Sequence, residues 1–429
     1  MKLKIEQTNS AGSVIVSTEQ KTLTIAPFDT GTGKVPLSII EAEGDLIVGS
    51  GAGAAQRLAS SGVDGDVLTV NTAVPGGWSV QSPSGGSIVD ATPCNGRLTL
   101  ETGVAVSTSN QTAKSTIYFT PFRGNIIGLY YSGWSRYTFS EKSIKISDTQ
   151  TGTLTSGSPI VTGLPDTTQL AVGMGVSGTG IAGGTTIQSV DSGTQITLSA
   201  NATASGAQSL TLVVPASRPF DLFAYYTGSD VKLKMVLWTN DSTRATALTT
   251  SNGILVLTGD ATMRYIGTGR TTAVAGQTED STSNRLIWNY YNRVSRPMTA
   301  VDTTNTWTYS TATWRQANAN AANQLSFVIG VAEVIARARL SVVVNADAGR
   351  NGSVGIGVDA TNANSATVFG PYLFTTTPDT AFAEYAGMPA AGYHYLAWLE
   401  IGGGAGTITW YGDNGGTTVQ SGLVGQIEG

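Results

Sequence analysis

Strand-like patterning of apolar and polar positions recurs from one end of this chain to the other. Lys21-Thr-Leu-Thr-Ile25 alternates residue by residue, and Ser13-Val-Ile-Val-Ser17 sets an apolar run between two serines. Far downstream, Arg337, Arg339 and Ser341 alternate with Ala338, Leu340 and Val342. A period of two sends successive side chains to opposite faces, so such stretches predict strands half buried against a core. Aromatic and β-branched runs at Phe220–Tyr226, Lys232–Thr239, Gly253–Leu257, Tyr393–Ile401 and Gly406–Tyr411 predict further strands. The expected class is all-β. At 429 residues the chain exceeds one ordinary hydrophobic core, so several domains are expected.

Turn residues and shifts of composition divide the pattern. Residues 1–43 hold strands broken by Pro27 and by the turn from Gly31 to Gly33. Residues 44–86 run from Gly44-Asp-Leu-Ile-Val48 through Gly65-Asp-Val-Leu-Thr-Val70 to Gly76-Gly-Trp-Ser-Val80, and end in a Ser/Gly/Pro linker at Ser82–Gly86. Residues 87–147 with 215–299 read as one antiparallel β domain. Between them, 148–214 has no aromatic residue, almost no charge, and much Gly and Thr. It reads as a small β module inserted at a hairpin tip, where lengthening a loop costs little entropy. Residues 300–429 are expected to form a jelly-roll-like sandwich.

Composition narrows the chemistry. Only 12% of residues are charged, against ~25% in an average globular chain, and Gly stands at 53. The net charge of −5 argues against a nucleic-acid partner, which needs clustered Lys and Arg to displace counterions. Lys232 and Lys234 read as one solvated strand face. The single cysteine, Cys94, excludes an intramolecular disulfide and reads as a buried, inert thiol. Met1–Thr8 lacks the apolar core of a signal peptide, and no stretch reaches the ~18 apolar residues of a membrane span. A soluble chain made in a cytoplasm, with no membrane insertion, is expected.

Catalytic groupings are sparse. Glycoside hydrolysis needs two placed carboxyl groups. The candidates are Glu41, Glu43, Asp45, Asp64, Asp66, Glu279 and Asp280, most of them beside Gly, Ser or Thr in predicted loops. His394 is the sole histidine, so one chain holds no multi-histidine metal site, and between Tyr393 and Tyr395 it reads as a strand residue. Gly355-Ile-Gly-Val-Asp-Ala360 has the letters of a dinucleotide turn without its helix. No enzyme, metal or cofactor is expected. Aromatic residues are the better functional material, because sugar faces stack on exposed rings. Trp410, Tyr411, Asp413 and Asn414 form the candidate ligand site, while an inward Trp410 above a plain Asp-Asn-Gly-Gly turn is the alternative. Trp288, Trp307 and Trp314 are expected to pack the core or an interface.

Three consecutive stretches carry a resemblance. They are Asn284-Arg-Leu-Ile-Trp-Asn-Tyr-Tyr-Asn-Arg-Val-Ser-Arg-Pro297, Thr306-Trp-Thr-Tyr-Ser-Thr-Ala-Thr-Trp314 and the run from Arg315 to Glu333. Together with the strands from Gly96 onward they resemble a domain of fibre and spike proteins of tailed bacteriophages, over about Gly96–Ala332. Residues 44–80 are similar to a unit of phage fibre shafts. The resemblance implies a structural virion protein, a tail fibre or spike that attaches to a host surface glycan or receptor. It implies a homotrimer, docked to other virion proteins through residues 1–80. A head fibre or capsid decoration protein is the alternative, and a polysaccharide depolymerase a weaker one.

Overall fold

A computed structural model describes residues 92–429 except 348, 370–372, 375 and 417, with 373 and 374 described by backbone alone. Before residue 92 it describes the backbone of seven strands. The chain divides into two compact units, Met1–Val89 and Asp90–Gly429. In the first, Lys4–Thr8, Ser13–Thr18 and Lys21–Ile25 form an antiparallel meander. Leu46–Gly49 pairs with Ala55–Leu58, and Val67–Val70 with Trp78–Gln81. Pro27, Gly31–Gly33, the linker at 82–86, and Glu41, Glu43, Asp45, Asp64 and Asp66 lie outside the described residues.

The second unit is all-β: its described residues contain no α-helix, only a 3-10 turn at Ala317–Ala319. A six-stranded sheet runs in the order Val231–Leu237, Pro219–Tyr226, Asp260–Arg270, Ile254–Leu257, Leu248–Ser251, and Ile287–Asn289 also pairs with Asp260–Arg270. Gly96–Thr99, Thr116–Pro121 and Lys142–Lys145 form a three-stranded sheet, and Ile126–Tyr130 makes a hairpin with Trp134–Thr138. Their inward side chains, among them Leu98, Ile117, Phe119, Ile127, Leu129, Phe220 and Leu222, belong to one core.

Within this unit the strands Ser147–Leu154 and Gly206–Val213 pair in unbroken register, from Ser147 opposite Val213 to Leu154 opposite Gly206. The segment they enclose adds a second small sheet of Ile160–Val161, Gln195–Leu198 and Ile187–Ser192. Val161, Leu164, Ile196 and Leu210 fill its interior, and that interior is continuous with the core just described.

Two larger sheets share a second core. One holds Arg350–Val358, Gly392–Gly402, Gln324–Ile329, Asn284–Arg285, Thr278–Asp280 and Gln111–Lys114 in that order; Asn284–Arg285 meets Gln324–Ile329 in parallel. The other runs Ser295–Val301, Gly422–Glu428, Ala336–Ala346, Asp379–Gly387, Thr367–Phe369, and Ile408–Tyr411 joins Ala336–Ala346. Along Ala336–Ala346, Ala338, Leu340, Val342 and Val344 are buried, while Arg337 and Arg339 are exposed. Leu340, Val342 and Val344 each contribute roughly 1.5–3 kcal/mol on leaving water. Pro297, which donates no backbone hydrogen bond, stands in the edge strand, the position a sheet tolerates. The strand Ser295–Val301 straddles position 300, so a boundary drawn there falls inside an element, and strands from both sides of it share these sheets.

Candidate functional site at the loops beside the C-terminal sheet

Period two decides the fate of the aromatic group at 410–414. In Ile408–Tyr411 the residues Ile408 and Trp410 turn inward, and Trp410 has 0% exposure. Its Nε1 donates to the Tyr309 carbonyl at 3.0 Å. Trp410 therefore offers no ring face to a sugar: of the two readings the inward Trp410 holds, and the stacking site is corrected. Tyr411 is half-buried, across from Thr306 and Val343. Asp413 and Asn414 form the turn that follows: Asp413 Oδ1 accepts the Gly415 N–H at 2.9 Å, and Asn414 has φ +50°. The structure brings these polar residues together but separates them from the indole.

That turn stands beside a second, more organised loop. Gly412 N–H donates to the Asn305 carbonyl at 3.2 Å, and a Cβ on Gly412 would strike the carbonyl oxygens of Asp302 and Thr304. Asp302 follows the strand Ser295–Val301 and is buried. Its Oδ1 accepts the Thr304 N–H at 2.9 Å. Its Oδ2 accepts Nδ2 groups of Asn323 at 2.6 Å, Asn318 at 3.2 Å and Asn320 at 3.4 Å. Burial pushes the Asp302 carboxyl up, but the bonds from Asn323, Thr304 and Asn318 outweigh it and leave it below its ordinary value. Asn318 reaches this position from a left-handed backbone, φ +57°, which asparagine adopts more readily than most residues.

Next to it lies a buried carboxylate, Glu400, with 0% exposure. It accepts Trp307 Nε1 at 2.7 Å, Arg315 Nε at 2.8 Å and the Asn318 N–H at 3.1 Å. Burial pushes its carboxyl above the usual range despite these donors. Trp307 is thus a core residue with a polar task. Trp288 is likewise buried, and Trp314 partly so.

Other candidate residues have structural partners. Asp280 is held by Arg285 and Arg296, each at 2.8 Å, while Glu279 accepts the Asn284 Nδ2 at 3.2 Å. The two neighbours lie on one strand, Thr278–Asp280, whose alternation points them to opposite faces. His394 Nδ1 meets Asp359 Oδ2 at 2.7 Å and Nε2 meets the Ala390 carbonyl at 2.9 Å. Burial lowers its pKa, but these two acceptors favour the doubly protonated ring, and the net shift is upward. Gly355–Ala360 lies in and just after the strand Arg350–Val358, with no helix following. Cys94 is buried, and desolvation pushes its thiol up to about 11. Lys232 is exposed, but Lys234 is half-buried and donates to the Leu170 carbonyl at 2.9 Å, which corrects the expectation of a wholly solvated face. Among the described residues no group of three or more His, Cys, Asp or Glu side chains is placed to hold a metal.

Exposed rings occur elsewhere. Tyr131 is 52% exposed and meets Tyr226 edge-on at 5.6 Å, and Tyr226 stacks on Tyr137 at 3.9 Å. The Tyr131 hydroxyl lies over Gly228, in the turn that carries Asp230, and Asp230 pairs with Lys142 at 2.7 Å. Sequence reasoning passed over this surface, although the doublets Tyr130-Tyr131 and Tyr225-Tyr226 at strand ends signalled it. It also passed over the Asp302 cluster, whose signal was three asparagines in the alanine-rich run after Arg315. Compared with known proteins, the chain matches no family model and no curated sequence.

Proposed function

We propose that this chain is a non-enzymatic structural protein of a tailed-phage virion, a tail fibre or spike that attaches the particle to a host surface glycan. The run from Asn284 to Pro297 carries the reading, because it is the strongest point of resemblance to phage fibre domains. Its residues act as a clasp. Asn289 bonds both the N–H and the carbonyl of Leu98, at 2.6 and 3.1 Å, and Asn292 Nδ2 bonds the Cys94 carbonyl at 2.6 Å. Arg264 lies over the Tyr291 ring at 4.5 Å. Such residues keep a particular fold, which is why a fibre domain would retain them.

In this reading residues 1–80 dock to other virion proteins, and the two sheets that residues 300–429 share with strands from before position 300 form a jelly-roll-like part of a homotrimer. Trimeric display gives weak sites avidity through effective concentration. The glycan contact falls to Tyr131 with Asp230 and Lys142, since a half-exposed ring beside paired polar groups suits a sugar face and its hydroxyls.

The first test is immunogold electron microscopy of virions with antibody to residues 300–429. Label at the tail is expected; label spread over the head would replace the proposal with the head-fibre reading. The purified protein should also adhere to host cells and block phage adsorption. Tyr131→Ala should weaken a single site by about tenfold, the effect of roughly 1.4 kcal/mol, and multivalent adhesion by more than that. Undiminished adhesion would remove Tyr131 from the contact.

A further inference from the structure

Two strands from different sheets, Asp379–Gly387 and Gly392–Gly402, are joined by a short strap, residues 388–391. Pro389 is buried, while Met388 is 59% exposed. One side chain fastens this strap. His394 Nε2 meets the Ala390 carbonyl at 2.9 Å, and among the described residues no other hydrogen bond reaches 388–391. The other ring nitrogen, Nδ1, meets Asp359 Oδ2 at 2.7 Å, and Asp359 Oδ1 accepts the Tyr395 N–H at 2.9 Å. Alternation puts His394 on the same side of its strand as the buried Leu396 and Trp398, so the ring is sheltered from water.

Both partners of the ring are acceptors, a carboxylate and a carbonyl. A neutral imidazole has one N–H and serves one of them, whereas the doubly protonated ring serves both. On losing a proton the ring keeps the one that faces the carboxylate, because a charged acceptor makes the stronger bond. Nε2 then points a lone pair at the Ala390 carbonyl, and two acceptors at hydrogen-bond distance repel each other. Asp359 is the charged group that acts on the ring. The strand Gln324–Ile329 presents the Phe327 ring, 5.9 Å away between centres, and Tyr393 and Tyr395 flank His394 on its own strand. Arg270 lies over Tyr393, with its charge paired to Asp241 at 2.8 Å. Tyr385, on Asp379–Gly387, is held neutral beyond pH 10 by burial and by Asp359. We propose that His394 is a proton-operated latch: its doubly protonated ring holds the strap 388–391 in place, and loss of the Nε2 proton releases it. The strap is fastened on the acid side and free on the alkaline side, with the change above the ordinary imidazole value of about 6.5. Ala391 also lines a cavity of about 420 Å³ beside Arg244, Leu248 and Val331, so the latch governs one wall of that cavity.

The test uses the full chain. His394 is the sole histidine, so the ring ¹⁵N resonances of the labelled protein belong to it alone. Through the titration they should show a ring protonated at both nitrogens giving way to a neutral ring that keeps its proton on Nδ1. A nitroxide on Met388→Cys reports the strap, since Cys94 is buried and takes no label. Its mobility should rise with pH at the same midpoint as the ring. Asp359→Asn keeps an oxygen for the Tyr395 N–H and suits the backbone at φ +53°, so it should fold. Without the carboxylate charge both midpoints should fall by about one pH unit. The proposal is overturned by a neutral ring protonated at Nε2, by label mobility that does not follow the ring titration, or by equal midpoints in Asp359→Asn and the parent. The ring measurement needs no substitution, so it decides the matter even where a variant does not fold.

Discussion

Arg315 reaches from a two-residue strand to a carboxylate that has no exposure, while its guanidinium lies 3.7 Å over the Tyr309 ring. Removing one partner of a buried ion pair leaves the other charge without compensation. Arg315→Ala is therefore expected to cost about 3 kcal/mol in urea unfolding, and Arg315→Ala with Glu400→Gln to cost less than that single change. If the double variant is the weaker, the stranded charge is not the cause. Little of this was legible in the sequence. Glu400 sits in a strand that reads as apolar, and nothing local joins it to Arg315 or Trp307, which lie 85 and 93 residues away. Trp410 failed for a related reason: its place beside Tyr411 and a turn suggested a surface, and the phase of the alternation turned it inward.

Strands were far easier to read than their partners. The alternation at Arg337–Val342 lies in an eleven-residue strand, and the runs at Phe220–Tyr226 and Lys232–Thr239 coincide with neighbouring strands of one sheet. Periodicity reports which face of an element is wet, so it gives strands and an all-β class. Pairing depends on contacts across long separations, and no local pattern encodes that Gln111–Lys114 lies beside Thr278–Asp280. The central strand Asp260–Arg270 shows how tight such contacts become. A Cβ on Gly267 would strike the Trp288 carbonyl and come within 2.7 Å of Leu98 Cδ1. Backbone cannot yield as a flexible side chain does, so Gly267→Ala should lose about 1–3 kcal/mol. Gly133→Ala, where nothing lies within 4 Å of the new methyl, is the control and should be within ~0.5 kcal/mol of the parent. Equal stabilities for the two variants would contradict the packing account.

For the whole molecule, proton linkage sets a pH window. The unfolded imidazole titrates near 6.5, and folding raises His394, the Asp359 and Ala390 acceptors outweighing its burial. Its contribution is present in full below about pH 6.5 and is lost as pH rises through the higher folded value. Two carboxylates act at the other end. Asp230 is lowered by its bond to Lys142, and Asp302 is lowered by its donors in spite of burial. Their contributions are present above about pH 4 and are lost as pH falls through the folded values. Melting temperatures measured from pH 3 to 9 should decline at both ends, and His394→Gln should flatten the alkaline decline alone. An unchanged alkaline limb in that variant would assign the loss to other groups.

The paired strands Ser147–Leu154 and Gly206–Val213 have a practical consequence. Because Leu154 and Gly206 face each other across an antiparallel ladder, the chain leaves and returns at points about 5 Å apart. A foreign polypeptide whose own ends lie that close can replace residues 155–205 without stretching the ladder, provided that it also covers Leu154 and Leu210, which pack in one core with Val161, Leu164 and Ile196 of that segment. The hairpin is thus a natural display port. A fluorescent protein or an epitope grafted there would make the protein visible in a living cell, with no antibody required.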